Sequence, residues 1–373
     1  MVSKTIQRNR VVEALWLCLF VWVSGLINCS AHRSSVELDP MILRATANPD
    51  GTIRVDALDP EILFSDATLA YQNKRFQVAA EQFVLYVNTF PEQTNAVMAQ
   101  FNAGLAFEAL EQWETALRYF DAYLNNDVRE KDKIDALFRR GVCLQKLGLW
   151  AKAADVYATI LTMRLTVLDR AETLAQYGLS LHRLGRLADA ERAYLDCLKV
   201  RDDNVELNLF DGNYYVAMAQ HQTGEIYRAL FEAIRFRLPV ERMRRDLEDK
   251  SHLFLKAQAA YLRAIRMKNT EWALAAGFNI GVLYEGFYHD MMDSEYPSEL
   301  DAESLEIYYD ELRSKVRPLI ERAVEVYEKN LIMSEKIGAQ DTEWGKRTRE
   351  SLNRVRNLIR KTEQRDSPER PAT

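Results

Sequence analysis

The sequence predicts an all-α fold, a solenoid of antiparallel helix pairs repeating every 37 residues, and three observations predict it. The first is composition. Of 373 residues only 14 are Gly and 9 are Pro, 48% are apolar, and Ala, Leu, Glu and Arg abound. That is helix-forming chemistry with enough apolar mass for a core and few of the turns a β-protein needs. The second is a pair of residues in register: Ala79, Ala116, Ala153 and Ala190, each followed four positions later by Phe83, Phe120, Tyr157 or Tyr194. The third is another small residue twelve positions before each alanine: Ala67, Gly104, Gly141 and Gly178. A fixed period of this length is the signature of a repeat array. The formal charge of −6 argues against non-specific binding to nucleic acid or to an anionic membrane surface.

Residues 1–28 read as a lipoprotein-type signal peptide. MVSKTIQRNR carries Lys4, Arg8 and Arg10 without an acid, and an apolar run from Ala14 to Ile27 follows. As a helix that run spans ~21 Å against a hydrocarbon core of ~30 Å, too short for a comfortable permanent span. LINC resembles a bacterial lipobox. Leu26 and Ile27 match it, Asn28 stands where Gly, Ala or Ser is usual, and Cys29 is the cysteine that would be lipidated. The resemblance implies cleavage before Cys29 and stable anchoring by more than one acyl chain. Ser30, by analogy with enteric bacteria, directs the protein to the periplasmic face of the outer membrane. Two other readings stay open: cleavage after Ala31, giving a soluble periplasmic protein, and an uncleaved signal anchor. Residues 29–59 contain NPDG and other turn formers and read as a linker.

Residues 60–241 are expected to hold five repeats. Steps of 37 align RFQVAAEQF, QWETALRYF, LWAKAADVY and RLADAERAY. A small side chain facing the partner lets two antiparallel helices approach closely. An aromatic one turn after the alanine lies on the same face and fills the space between neighbouring hairpins. A further step puts Phe231 in the aromatic column, with Pro239 following it as Pro91 follows Phe83. It also puts HQTG, at 221–224, on the turn that LGRL occupies at 184–187. The alanine column breaks at Tyr227, so the fifth repeat is expected to be degenerate. These columns resemble the tetratricopeptide repeat (TPR), W-x2-L-G-x2-Y…A-x3-F…P. The resemblance implies a right-handed solenoid whose extra residues per unit lengthen helix ends or loops.

Residues 242–340 read as divergent helical repeats. Val240 to Met267 forms one long helix with Met243, Leu247, Phe254, Tyr261 and Ile265 along a face. NIGVLY, at 279–284, is a good first helix, and its partner is delayed until Ala323 and Tyr327 restore the alanine–aromatic pair. Asn269 to Leu312 contains eleven acids and no Lys or Arg. The insertion at about 289–312 is either a solvated lead into an acidic helix or a docking surface for a basic partner through Asp290, Asp293 and Glu295. These acids lack the glycine and spacing of a calcium loop. Residues 341–362 read as a capping helix. Seven basic residues and a stripe of Trp344, Leu352, Val355 and Ile359 suit it to close the array and to neutralise the insertion. Residues 363–373 read as a disordered tail.

No catalytic constellation stands out. There is no phosphate loop, GxSxG or HExxH, and the five histidines show no ligand spacing. Cys143 and Cys197 have no base nearby in sequence and read as buried free thiols, or alternatively as a disulfide pair. Neither enzyme activity, metal nor cofactor is expected. TPR arrays bind through the concave face built by their first helices. The resemblance places Phe64, Phe101 and Phe138 in one column of that groove, continued by Ala175, with Met98, Leu105, Val142 and Leu179 in neighbouring columns. Such a groove suits an extended peptide or an amphipathic helix, unless the aromatics pack within the superhelix itself. The Lys and Asn with which chaperone-binding TPR domains clamp a C-terminal carboxylate are absent from these columns.

Residues 83–124 are similar to the TPR proteins of outer-membrane β-barrel assembly and of the Tol–Pal system. The wider layout is similar to TPR lipoproteins of the gliding-motility apparatus. The expectation is a non-enzymatic, lipid-anchored scaffold that binds envelope proteins as peptide or helix in its groove and assembles a Gram-negative envelope complex, with the gliding-motility machinery as one candidate. A β-barrel assembly subunit and a regulator of a cell-wall enzyme are the alternatives. The oligomeric state stays open.

Overall fold

The computed structural model describes residues 42–47 and 52–366, which fall in two units, Met1–Asp59 and Pro60–Thr373. The signal-peptide reading and Cys29 lie outside the described residues, as do residues 367–373 of the proposed tail. In the first unit, strands β1 (Ile42–Ala47) and β2 (Ile53–Leu58) pair antiparallel, Ile42 opposite Leu58 and Ala47 opposite Ile53. The segment read as a linker therefore contains a hairpin. The physical reason lies in the sequence: ILRATA and IRVDAL carry β-branched residues and stand either side of the turn-forming residue types NPDG.

The second unit begins with four regular hairpins. They pair α1 (Pro60–Gln72) with α2 (Phe76–Thr89), and α3 (Ala96–Ala109) with α4 (Trp113–Leu124). Next α5 (Glu130–Lys146) pairs with α6 (Trp150–Leu161), and α7 (Val167–Arg183) with α8 (Leu187–Asp202). Each turn is closed in the same way. Lys74, Glu111, Gly148 and Gly185, one period apart, have left-handed φ of 59°, 58°, 73° and 74°. The next backbone N–H in each case donates to the carbonyl five residues back: Arg75 to Ala70 (2.8 Å), Gln112 to Phe107 (2.9 Å), Leu149 to Leu144 (2.8 Å) and Arg186 to Leu181 (3.0 Å). That bond satisfies a carbonyl the helix end would otherwise leave orphaned.

The columns meet inside these hairpins. Ala79, Ala116, Ala153 and Ala190 are fully buried, as are Phe83, Phe120, Tyr157 and Tyr194. A Cβ added at Gly104, Gly141 or Gly178 would stand 2.6 Å from the ring of Phe120, Tyr157 or Tyr194, so only glycine allows this approach.

The fifth unit departs from the sequence reading. HQTG forms no turn but lies within α9 (Tyr214–Ala233), which packs on α10 (Val240–Arg266). Gly224 is the column glycine of this hairpin. Its aromatic is Tyr261, 37 residues on, where 16 separate Gly104 from Phe120, and Ala257 supplies the alanine. Phe231 belongs to the first helix of the pair, not the second, and its ring is buried between Phe254 and Phe287 (centroids at 6.1 and 5.6 Å). The constant period fails because both helices of the unit are longer than those before them.

A sixth hairpin joins α11 (Thr270–Met292) to α12 (Ala302–Lys336), with Gly281 against Tyr327 and Ala323 fully buried. Much of the acidic insertion is therefore helical. Residues 302–312 open α12, and Asp301 caps them by accepting a hydrogen bond from Ser304 N at 2.8 Å. Helix α13 (Glu343–Asp366) runs past the expected boundary at 362 and covers α11 and α12 through Leu352 and Val355. Its Arg354 forms a fork with Glu285 of α11, both bonds at 3.0 Å, and Arg356 pairs with Glu328 of α12 at 2.6 Å. No helix among the described residues is long and apolar enough to cross a membrane.

Candidate functional site

The phenylalanine column is half wall and half core. Phe64 packs on Phe83 and Tyr86 (5.7 and 5.6 Å), and Phe101 on Phe120 and Tyr123 (5.7 and 5.1 Å). Phe138 lies on Tyr157 and Tyr215 (5.7 and 5.9 Å). Each ring meets a second-helix aromatic of its own hairpin and stays partly open on the other side. Ala175, the next in the column, is fully buried.

A recess of about 360 Å³ opens where first helices stand side by side. Phe101 and Leu105 of α3 and Phe138 of α5 form its apolar wall, joined by Ile134 and by Tyr215 of α9. Its polar groups are Asp135 and Arg139 on α5, and Asp169, Glu172 and Thr173 on α7. Of the sequence candidates, Phe101, Leu105 and Phe138 are thus brought together. Phe64, Val142 and Leu179 are half-buried outside the recess, and Met98 is exposed on α3. The acids of the recess escaped the sequence reading, although a signal for two of them was present. Asp135 and Glu172 stand one and two periods after Met98, in the column already singled out.

The recess is electrostatically one-sided. Burial and the neighbouring Asp169 carboxylate raise the pKa of Asp135, and the same two causes raise that of Glu172. No ion pair holds any of the three acids among the described residues; Asp169 takes a hydrogen bond from Thr166 Oγ1 at 2.7 Å. The single base, Arg139, is already engaged by Glu108 of α3 at 2.8 Å. Burial works against the Arg139 charge, but Glu108, Tyr215 and Tyr71 outweigh it and raise its pKa. The Thr173 hydroxyl is fully buried and makes no hydrogen bond.

The acidic residues offered as a possible docking surface are used differently. Asp290 pairs with Lys250 at 2.7 Å and with Arg235, and is mostly buried. Glu295 accepts a hydrogen bond from Leu238 N at 2.7 Å, which ties the connection after α11 to the start of α10. Only Asp293 of the three is exposed without such a role in the fold. The reason is the lengthened fifth hairpin, which carries Arg235 and Lys250 to these acids. Cys143 and Cys197 are free and buried, and burial pushes both thiols up to about 12. No group of His, Cys, Asp and Glu among the described residues is placed to hold a metal ion.

A second recess, of about 320 Å³, lies between α12 and α13. Its arginines are answered by the chain itself, Arg313 by Asp310 and Arg317 by Glu321. It therefore presents far less unanswered charge than the first.

No protein-family model matches the chain, and no curated protein matches it. Among solved structures it is similar to the apo form of RapI, with a TM-score of 0.47 and 10% identity over 82% of this chain and 100% of that one. It is similar also to the C-terminal part of a TPR repeat-containing protein from Cytophaga hutchinsonii, with a TM-score of 0.44 and 13% identity over 78% and 95% of the two chains. A third is YrrB, described as a TPR protein with an unusual peptide-binding site, with a TM-score of 0.38 and 16% identity over 54% and 86%. The six helical hairpins among the described residues, with their small–aromatic columns, form an all-α TPR solenoid.

Proposed function

We propose that this protein is a non-enzymatic scaffold that holds a segment of a partner protein, as peptide or helix, in the recess between α3, α5 and α7. We further propose that it does so as a lipid-anchored protein on the periplasmic face of a Gram-negative outer membrane. The observation that carries the first part is the recess itself: aromatic walls, a ring of polar groups and a buried unpartnered hydroxyl on the first-helix face. The second part rests on the basic n-region, the short apolar run and Cys29 in LINC. Assembly of an envelope complex, with the gliding-motility machinery as one candidate, follows from the sequence resemblance.

A photo-crosslinking residue at Met98 tests the first part. Met98 is exposed and shares its repeat position with Asp135 and Glu172, so the probe sits beside the recess without disturbing the core. Capture of an envelope protein in cells supports the reading. Capture of this chain's own peptides alone means the face is filled internally and the reading fails. For the anchor, Cys29→Ser should move the protein from the membrane fraction to the soluble one; unchanged fractionation removes the lipid from the proposal.

A further inference from the structure

Resting on that reading of the recess, we propose that its occupant is a basic segment of a partner protein. An arginine or lysine side chain enters among Asp135, Asp169 and Glu172, while an adjacent apolar side chain packs on Phe101 and Phe138.

Three independent features point to this occupant. The first is charge. Three carboxylates face one recess, and the only base there, Arg139, is held by Glu108 at 2.8 Å. An acidic or C-terminal carboxylate ligand would meet like charge. An uncharged one would strip water from the acids without pairing them, which is costly. A cationic side chain answers them.

The second is the Thr173 hydroxyl, fully buried at the recess with no hydrogen-bond partner. A ligand seated in the recess can supply the bond this hydroxyl lacks. As an acceptor it suits an N–H of a guanidinium or ammonium group.

The third is the mixture of walls. Tyr215 and Phe138 meet edge to face beside the acids. A guanidinium can pair with a carboxylate through its fork and lie on an aromatic face at the same time, which an ammonium does less well. A metal ion is a poorer occupant, because the recess acids are not gathered into a ligand set. Burial, and after it the Asp169 carboxylate, raises the pKa of Asp135 and Glu172, and a bound cation would relieve the second of these.

The test uses the full chain, immobilised, and a phage-displayed library of random peptides. The retained peptides should be enriched in arginine or lysine next to a large apolar residue. A retained peptide made synthetically should bind at least tenfold more weakly when its basic residue is replaced by citrulline or norleucine. The unmodified peptide should likewise lose at least tenfold when Asp135→Asn and Asp169→Asn are combined in the protein, with thermal unfolding unimpaired. Asp135→Trp, at an exposed position, fills the mouth of the recess and should abolish retention.

Two other results would overturn the proposal in distinguishable ways. Peptides without basic residues that bind the double variant as well as wild type, yet fail on Asp135→Trp, leave the recess as the working site and remove the cation. Peptides retained equally by Asp135→Trp and wild type, or no retention at all, remove both the cation and the recess.

Discussion

Gly224 lies against the ring of Tyr261 as closely as Gly178 lies against that of Tyr194; a Cβ added at either glycine would come 2.6 Å from a ring carbon. The contact is the same, although the first pair is far more widely separated in sequence. Gly224→Ala and Gly178→Ala should therefore each cost about 1–3 kcal/mol by overpacking. Gly286→Ala is the control. Its Cβ would meet only Phe231, at an ordinary 3.7 Å, so it should be neutral or gain up to about 1 kcal/mol from helix propensity. Urea unfolding of the three variants checks both halves of this expectation.

The hairpin turns offer a second test. Lys74 and Glu111 hold a left-handed φ that Gly148 and Gly185 adopt in the later turns. That conformation costs a side-chain-bearing residue about 1–2 kcal/mol, partly offset by the greater chain entropy glycine loses on folding. Glu111→Gly should raise stability by up to about 1 kcal/mol. Gly148→Ala, with no atom near its added Cβ, should lower it by a similar amount through backbone strain alone.

Lys250 is fully buried. Its ammonium donates to Asp290 at 2.7 Å and to the carbonyls of Phe231 and Ile234 at 2.6 and 2.9 Å, and lies 3.9 Å from the Phe231 ring centroid. Asp290→Asn would strand that charge and should cost about 3 kcal/mol. Lys250→Met should cost less, because it removes the buried charge and leaves Asp290 with Arg235. Equal losses in the two variants, measured by denaturant unfolding, would count against this assignment.

His221 is buried, and burial lowers its pKa to about 4, with Glu225 opposing the shift and Arg228 adding to it. Its Nε2 takes a hydrogen bond from Asn279 at 3.0 Å, which suits the neutral ring. The unfolded chain, with a histidine pKa near ~6.5, binds a proton between those two values and the folded chain does not. Stability should therefore be full above pH ~6.5 and decline as the pH falls toward 4, by on the order of 3 kcal/mol in total. Urea midpoints between neutral pH and about pH 5 would show the slope, and His221→Gln should flatten it.

Beyond the effect of burial, the Asp169 carboxylate raises the pKa of both Asp135 and Glu172, so the recess acids repel one another in the free protein. Asp169→Asn should keep the Thr166 hydrogen bond and leave stability within about 0.5 kcal/mol, because relief of the repulsion is set against loss of an acid in the first turn of α7, while weakening capture of a basic peptide. Side-chain titration by NMR should show Asp135 and Glu172 moving down in this variant. A larger stability loss would make Asp169 a structural residue.

The regular half of the fold was legible because its defining contact is local. Gly104 and Phe120, or Gly141 and Tyr157, are one hairpin apart, and a constant spacing records that geometry directly in the chain. The fifth hairpin was misread for the converse reason. Its contact survives unchanged, but longer helices move Tyr261 out of the expected column and leave Phe231 in it. The turn formers of NPDG suit a linker and a hairpin equally well, and only the pairing of β1 with β2 distinguishes the two.

By itself, the sequence determined an all-α array of helical hairpins, the small–aromatic seams of its first four units and of its last, and an aromatic first-helix column. These follow from side-chain size and spacing, which act within a single hairpin. Only the tertiary structure decided which charges face the column. Stacking brings Asp135 on α5 beside Asp169 and Glu172 on α7, and ties Arg139 to Glu108 on α3. It also folds Asp290 and Glu295 back onto Lys250, Arg235 and Leu238. Spacing records contacts within a unit, but the charge of a surface depends on how successive units stack, and so the acidic character of the recess emerged only once they had been placed side by side.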